Sequence, residues 1–461
     1  MKVDMNKLKS INPSNKELLG EIEISSEAEI KRKVANAQKA KEAWKSLGLE
    51  KRVKILREIS QNLVSRKEEI AVLVSKEMGM PINDSRYDVD DSVRYFNWYL
   101  DNAEEYLSPE VVYDSESVKH TVYYEPLGVD ASIAPWNFPL SNFVWLVGQN
   151  LIAGNCVVFK HSEEVPLFGK LIEEIINSCG LPEGVFSEVY GDGKVGDFLA
   201  RQNINLICFT GSTRAGKYLY KVGAEKFIKV LLELGGSAPG VIFEDTSIDK
   251  VLNSIYSSRF GNCGQMCDAL KRLIIHESKM NEVLEKLKAK LESLKIGNAL
   301  DESTELGPLV AERQIKLLEE QVGDALSKGA MLVTGGTRHK GLEGFFYLPT
   351  ILINIKRNMR VWKEEIFGPV LPVVSFKKEE KAVELANDTS YGLGGYLYTE
   401  DKEKAKRVAS KLQTGMVSIN GLSYLQPCSP FGGYKDSGIG REHGRFGFHD
   451  VTQVKVVAEE K

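Results

Sequence analysis

The sequence predicts a multidomain α/β protein built on parallel sheets, and three observations carry that expectation. Between residues 129 and 243 short apolar runs alternate with stretches of helical periodicity, and a second alternating region runs on to about residue 420. The glycine-rich break Leu234–Gly240 (LGGSAPG) separates the two. A chain of 461 residues also exceeds what one hydrophobic core serves, which implies two or three domains.

The elements follow in order. Residues 27–107 read as helical, with apolar residues at helical spacing from Lys51 to Met78. Lys119–Pro135 alternates in polarity and carries Pro126 and Gly128, which reads as a hairpin leading into a strand. Apolar runs at 156–159, 186–190, 205–209 and 228–232 predict strands, with helices near 166–178, 194–201 and 213–223 between them. That rhythm is the pattern of βαβ units, whose ligands sit at the carboxyl ends of the strands. The second region reads as strands at 239–243, 272–276, 371–376 and 395–399, with helices at 248–259, 277–293, 311–328, 378–387 and 401–412. The chain ends on a β-prone stretch, Val451–Ala458, and an apolar terminal strand needs a partner, for which a neighbouring subunit's sheet is the expected one.

Composition narrows the function. Apolar content of 43% and charged content of 27% suit a soluble globular protein. A net charge of -4 gives no electrostatic case for nucleic acid or an anionic membrane. No apolar run is long enough for a transmembrane helix, and the first twenty residues lack the apolar core of a signal peptide, so a cytoplasmic protein is expected. The cysteines Cys156, Cys179, Cys208, Cys263, Cys267 and Cys428 form no CxxC pair and the histidines are scattered, so no metal site is expected.

Five segments carry chemistry. Phe260–Arg272 (FGNCGQMCDALKR) sets Cys267 after a glycine-containing turn and before a β-prone run. A thiol there can sit in a cleft with backbone N–H groups near its sulfur, donors that lower its pKa and stabilise an oxyanion; a structural cysteine fits the segment equally. Glu233 closes an apolar strand ahead of Leu234 and two glycines, where burial raises a carboxyl toward the range of a general base; an ion-paired core glutamate is the alternative. In Ala134–Leu140 (APWNFPL) the side-chain amide of Asn137 can face a developing oxyanion or cap a helix. Lys160 and Glu163 follow a strand, placed to hydrogen-bond the ribose hydroxyls of an adenosine. In Cys208–Leu219 (CFTGSTRAGKYL), strand, Gly211-Ser212 and helix start form a phosphate-binding arrangement. The same segment nearly matches a P-loop through Gly211, Gly216 and Lys217, but Tyr218 stands where a Ser or Thr hydroxyl would hold magnesium; a nucleotide-binding hydrolase is the alternative from a different class.

Taken together these segments closely resemble the aldehyde dehydrogenase superfamily, from INPSNKELLG at Ile11 to FGGYKDSGIGREHG at Phe431–Gly444. EEIFGPV (Glu364–Val370) is especially characteristic, and LLELGGS, the Lys160–His161 pair and KRLIIHES are most similar to the succinate-semialdehyde-dehydrogenase-like branch. The resemblance implies a Rossmann-like cofactor domain (1–118 and 129–234), an α/β catalytic domain (235–436) and a small β oligomerisation element (119–128 and 445–461), in a homodimer or homotetramer. It implies Cys267 as nucleophile, Glu233 as general base, and Asn137 with the Cys267 N–H as oxyanion hole. Lys160 and Glu163 would hold the adenosine ribose, Gly211 and Ser212 the pyrophosphate, and Glu365 the nicotinamide ribose beside Phe367; Pro135, Trp136, Gly216 and Leu234 would complete the cofactor site. A CoA-acylating relative would not need Glu233, and a crystallin-like structural protein would need none of the three reacting groups.

Where the branch commonly carries an Arg eight residues beyond Asn137, this chain has Trp145, and Gly421–Pro430 contains no Lys or Arg. Succinate semialdehyde is therefore the alternative, and an uncharged short or aromatic aldehyde the expectation, with Phe138, Trp145 and Tyr424 as pocket walls. Glu163 would repel a 2′-phosphate, which favours NAD over NADP. Cys263, four residues before Cys267, raises the option of a disulfide protecting the nucleophile, against plain buried packing.

Overall fold

The computed structural model describes residues 6–461; the start of the expected 1–118 segment lies outside them. Residues 27–107 form four helices, Glu27–Ser46, Leu49–Ser65, Lys67–Met78 and Ile82–Leu107. They pack with Pro139–Ala153 into the largest core cluster. Pro139 opens that last helix, where a missing N–H is harmless, and Gly154 at φ 104° closes it in the left-handed region glycine favours.

Two large sheets organise the chain. In the first the order is Gly438–Ile439, Lys229–Glu233, Leu206–Thr210, Val129–Ile133, Cys156–Lys160, Phe186–Glu188; all neighbours are parallel except the Gly438–Ile439 edge. Its three central strands are buried at every residue, as near-continuous apolar runs covered on both faces must be. The second has the order Met331–Thr334, Thr350–Ile353, Val370–Phe376, Leu270–His276, Ala238–Ile242, Tyr396–Tyr398, Ser418–Ile419, antiparallel only at Met331–Thr334. Gly438–Ile439 returns the chain from the second sheet to the first, pairing with the end of the strand that carries Glu233.

Several expectations are corrected. Lys119–Pro135 is no hairpin: Val118–Pro126 is one strand, and the chain leaves it through Leu127-Gly128 to start Val129–Ile133 in another sheet. Gly128 at φ 131° permits that exit. The hairpin partner of Val118–Pro126 is Glu110–Asp114. The terminal strand, Thr452–Glu460, pairs within its own chain, antiparallel to Val118–Pro126, and forms an edge of that three-stranded sheet. The expected 277–293 helix opens with a 3-10 turn before Met280–Glu292. Lys7–Ile11, Leu18–Glu23, Met331–Thr334, Thr350–Ile353 and Ser418–Ile419 are strands that periodicity did not reveal, being too short for a period to register. Among the described residues no helix is long and apolar enough to cross a membrane, and no three His, Cys, Asp or Glu side chains are grouped to hold a metal ion.

Candidate active site

A cavity of about 960 Å³ lies at the carboxyl ends of the first sheet, where Ile133, Lys160, Thr210 and Glu233 close their strands on its wall. The second sheet meets it with the opposite ends: Tyr396 and Ser418 open their strands there, and Cys267 arrives three residues before Leu270–His276. Cys267, Glu233 and Asn137 all line this one cavity.

Cys267 is delivered by a constrained turn. After the helix Ile248–Phe260, both Asn262 (φ 47°) and Cys263 (φ 55°) are left-handed, a conformation that persists only where the surroundings over-determine it. Asn262 Nδ2 donates to the Asn137 carbonyl at 2.8 Å, and Asn137 Nδ2 donates to the Gln265 carbonyl at 3.0 Å. The turn and the Asn137 segment therefore fix each other, which leaves one proton of the Asn137 amide for another acceptor. Burial pushes the Cys267 thiol well up, Asp268 pushes it further, and Lys271 opposes both.

Glu233 is buried, and its Oε2 has no hydrogen-bond partner. Burial raises its carboxyl well above the usual range, and Glu442 raises it further against the opposing charge of Arg441. A carboxyl so placed is poised to gain a proton from a weak acid such as water.

The other sequence candidates divide. Pro135, Trp136, Lys160, Glu163, Gly211, Ser212, Leu234, Glu365 and Phe367 line the cavity, as do Phe138, Trp145 and Tyr424. Lys160 is buried and lies 3.8 Å from Glu163. Ser212 caps the helix Thr213–Lys226 by accepting the Ala215 N–H. Trp136 meets the edge of Phe367 at 5.4 Å. Gly216 is the exception: it does not line the cavity but backs onto Leu234, where a Cβ would collide. Its smallness serves helix packing. The P-loop likeness dissolves in the same way, since Lys217 pairs with Asp436 at 2.8 Å and Tyr218 donates to Asp197 at 2.7 Å. Cys263 packs in a core with Leu306 and Ile315, whereas Cys267 packs against a separate cluster of Leu393, Met416 and Phe431, as Trp145 and Tyr424 do; both are free thiols, and burial pushes Cys263 up to about 12.

Sequence reasoning missed two groups. Asp268 and Lys271 flank the sulfur: Tyr424 donates to Asp268 at 2.8 Å and stands 3.2 Å from the Tyr396 hydroxyl. The second group is Asp84, Asp88, Asp91 and Arg94, which line the cavity from the distant helix Ile82–Leu107. A spacing of 3 or 4 in that stretch was the one available signal, because it puts these charges on one helical face.

A family model described as the aldehyde dehydrogenase family matches residues 1–457. A glutarate-semialdehyde dehydrogenase of Pseudomonas aeruginosa is 35% identical over 450 residues, covering 97% of this chain and 93% of its own. A betaine aldehyde dehydrogenase of Bacillus subtilis is 37% identical over 459 residues, with the same coverages of 97% and 93%. Among solved structures, the NAD+ complex of an aldehyde dehydrogenase from Bacillus cereus superposes with a TM-score of 0.95 at 31% identity, over 98% of this chain and 93% of that one.

Proposed function

The chain belongs to the aldehyde dehydrogenase family and has its fold, and from that premise we propose that it oxidises an aldehyde to the carboxylic acid with NAD(P), using Cys267 as nucleophile and Glu233 as general base. One observation carries the reading: Cys267, Glu233 and Asn137 come from three separate segments and open onto one cavity.

The groups along the first sheet fit a dinucleotide. Lys160 and Glu163 offer a donor and an acceptor for ribose hydroxyls, and Ser212 marks a helix N-terminus suited to pyrophosphate. Thr210 Oγ1 is buried on the wall without a partner, and a Cβ at Gly193 would meet nothing within 4 Å, so that end has both an unanswered polar atom and room. Bound there, a nicotinamide supplies the hydride acceptor. The Bacillus cereus structure holds NAD+, and the Glu163 carboxylate favours NAD over NADP here.

The chain's own groups account for the rest. The Cys267 thiolate adds to the carbonyl, while the Asn137 amide and the Cys267 N–H donate to the oxyanion. Loss of hydride leaves the acyl group on the sulfur as a thioester. Glu233 takes a proton from water, the hydroxide adds to the acyl carbon, and the C–S bond breaks to release acid and thiolate. The terminal sheet of Glu110–Asp114, Val118–Pro126 and Thr452–Glu460 is proposed as the element of self-association, with Val454 and Val456 exposed on its edge strand.

The cavity lining away from the first sheet supports an aldehyde without a carboxylate. Trp145 and Tyr424 line the cavity with Cys267, and Arg94, a guanidinium on the same lining, is held by Asp91 at 2.6 Å and Gln426 at 3.2 Å. Arg313, also on the lining, is paired with Glu164 at 2.6 Å, while Asp84, Asp88 and Asp91 on one helix and Asp268 next to Cys267 add negative charge to it. The expectation of an uncharged aldehyde therefore gives way to a short aldehyde ending in an ammonium group, reached through an aromatic neck that suits a cation. The relative named for betaine aldehyde acts on a cation of this kind.

The reading is tested with propanal, 3-aminopropanal, butanal and succinate semialdehyde, following NADH and NADPH absorbance without CoA, alongside Cys267→Ser. Acid formation that falls by at least about a thousandfold in the variant is expected. Undiminished turnover by Cys267→Ser would end the proposal.

A further inference from the structure

Lys271 is the second residue of the Leu270–His276 strand, four residues beyond Cys267, and its side chain is 1% exposed. A buried ammonium is unfavourable unless its three donors are taken. Here Nζ donates to the Gly236 carbonyl at 2.9 Å, to the Cys267 carbonyl at 3.1 Å and to Glu365 Oε1. It also lies 5.1 Å from the centre of the Phe367 ring. Glu365 Oε1 accepts the Gly236 N–H as well, at 3.1 Å. Gly236 in turn approaches the nucleophile so closely that a Cβ there would stand 2.6 Å from the Cys267 carbonyl oxygen. A single ammonium thus gathers the backbone of the nucleophile, the turn that follows Glu233, and a carboxylate on the cofactor wall.

We propose that Lys271 is a positioning residue that couples Cys267 to Glu365: its ammonium holds the Cys267 carbonyl and the Gly236 turn, and Glu365 competes for the same charge. The proposal rests on the reading of Cys267 as the nucleophile. Four charged groups bear on that sulfur. Asp268, Glu233 and Glu365 all disfavour the thiolate, as burial does, and Lys271 alone favours it. Lys271 is itself held down by burial and supported mainly by Glu365. A carboxylate that turns toward a bound ribose would leave the ammonium less neutralised, so the same pair links the two halves of the site.

The test reads thiol chemistry in cofactor-free enzyme. Iodoacetamide alkylation of the Cys267 peptide is followed by mass spectrometry against pH, which separates it from the exposed Cys428. In Lys271→Met the midpoint moves up by about one pH unit, and alkylation below it slows about tenfold. In Glu365→Gln the midpoint moves down, the double variant returns toward wild type, and Lys271→Arg restores part of the loss. A merely structural role would shift both single variants the same way, or neither, and either result overturns the coupling. Should Lys271→Met fail to fold in a thermal melt, Glu365→Gln decides alone: an unmoved or raised midpoint overturns the proposal. These outcomes are independent of turnover, so wild-type enzyme with the expected midpoints but no oxidation of any aldehyde would sink the dehydrogenase reading and leave the coupling intact.

Discussion

The two arms of the cavity are built on different principles. The arm proposed to hold the dinucleotide is made of strand ends and the turns that follow them: Lys160 and Glu163 after one strand, Gly211 and Ser212 after another, Leu234 after a third. The arm proposed for the substrate is made of side chains sent in from distant elements, with Asp88 and Asp91 on one helix, Trp145 on a second, Tyr396 on a strand and Tyr424 on a loop. A parallel sheet forces its carboxyl ends to one edge, so the first arm follows from topology. The second follows from tertiary packing and is free to vary. Cofactor handling should therefore be insensitive to changes in the substrate arm, and aldehyde preference insensitive to changes in the dinucleotide arm.

The largest test falls where the arms meet. Glu233→Gln should lower kcat about a hundredfold or more, because the thioester then waits for unassisted water. Pre-steady-state mixing should still show a burst of NADH, since acyl transfer to Cys267 does not use this carboxyl. The pH profile gives the sign. In the proposed mechanism the ionised form is the base, and burial with Glu442 beside it raises Glu233 well above an ordinary carboxyl. Wild-type kcat should therefore climb as pH rises through that elevated range, and the climb should vanish in Glu233→Gln. A variant that loses the burst together with turnover would mean Glu233 serves the first step.

The same contrast explains what could be read from sequence. Strand–turn–helix order gave the first sheet nearly whole, because runs such as Cys156–Lys160 are buried at every residue and stand out as apolar. Short strands such as Ser418–Ile419 gave no period, and the turn at Pro126–Gly128 read as a hairpin because alternation shows that a strand exists but not which sheet it joins. In the site, Lys160 and Glu163 sit at or just after a strand end, Glu365 follows the short helix Arg360–Lys363, and all three reach the cavity. Gly216 was misread because helix packing and phosphate approach both demand a glycine. The spacing of Asp88 marked a charged helical face, but nothing local reveals that a helix 179 residues before Cys267 faces the same space.

A middle-sized effect tests the substrate arm. Asp88 is buried with Ser141 donating to it at 2.5 Å, and burial pushes its carboxyl up to about 7. An ammonium held against it would favour the ionised form. Asp88→Asn keeps the shape and the acceptor for Ser141 while removing the charge. The ratio of kcat/KM for 3-aminopropanal over butanal should fall about tenfold, and KM for NAD should not move. A changed NAD KM would break the separation of the arms, and an unchanged ratio would return the substrate to an uncharged aldehyde.

The smallest effect lies on the dinucleotide arm. Glu163 is 42% exposed at its side chain and 3.8 Å from Lys160, so water screens it and Lys160 partly offsets its charge. Glu163→Gln keeps an acceptor for a ribose hydroxyl and removes the repulsion of a 2′-phosphate. The kcat/KM ratio of NADP over NAD should rise about fivefold, which is the scale of one screened charge pair near a surface. The exchange should leave the ranking of aldehydes untouched, since no side chain of the substrate arm contacts Glu163 in its ion pairs. A reordered ranking would show that the two arms communicate, with Lys160 the first residue to suspect because it is buried beside Glu163 and spans the wall between strand and cavity.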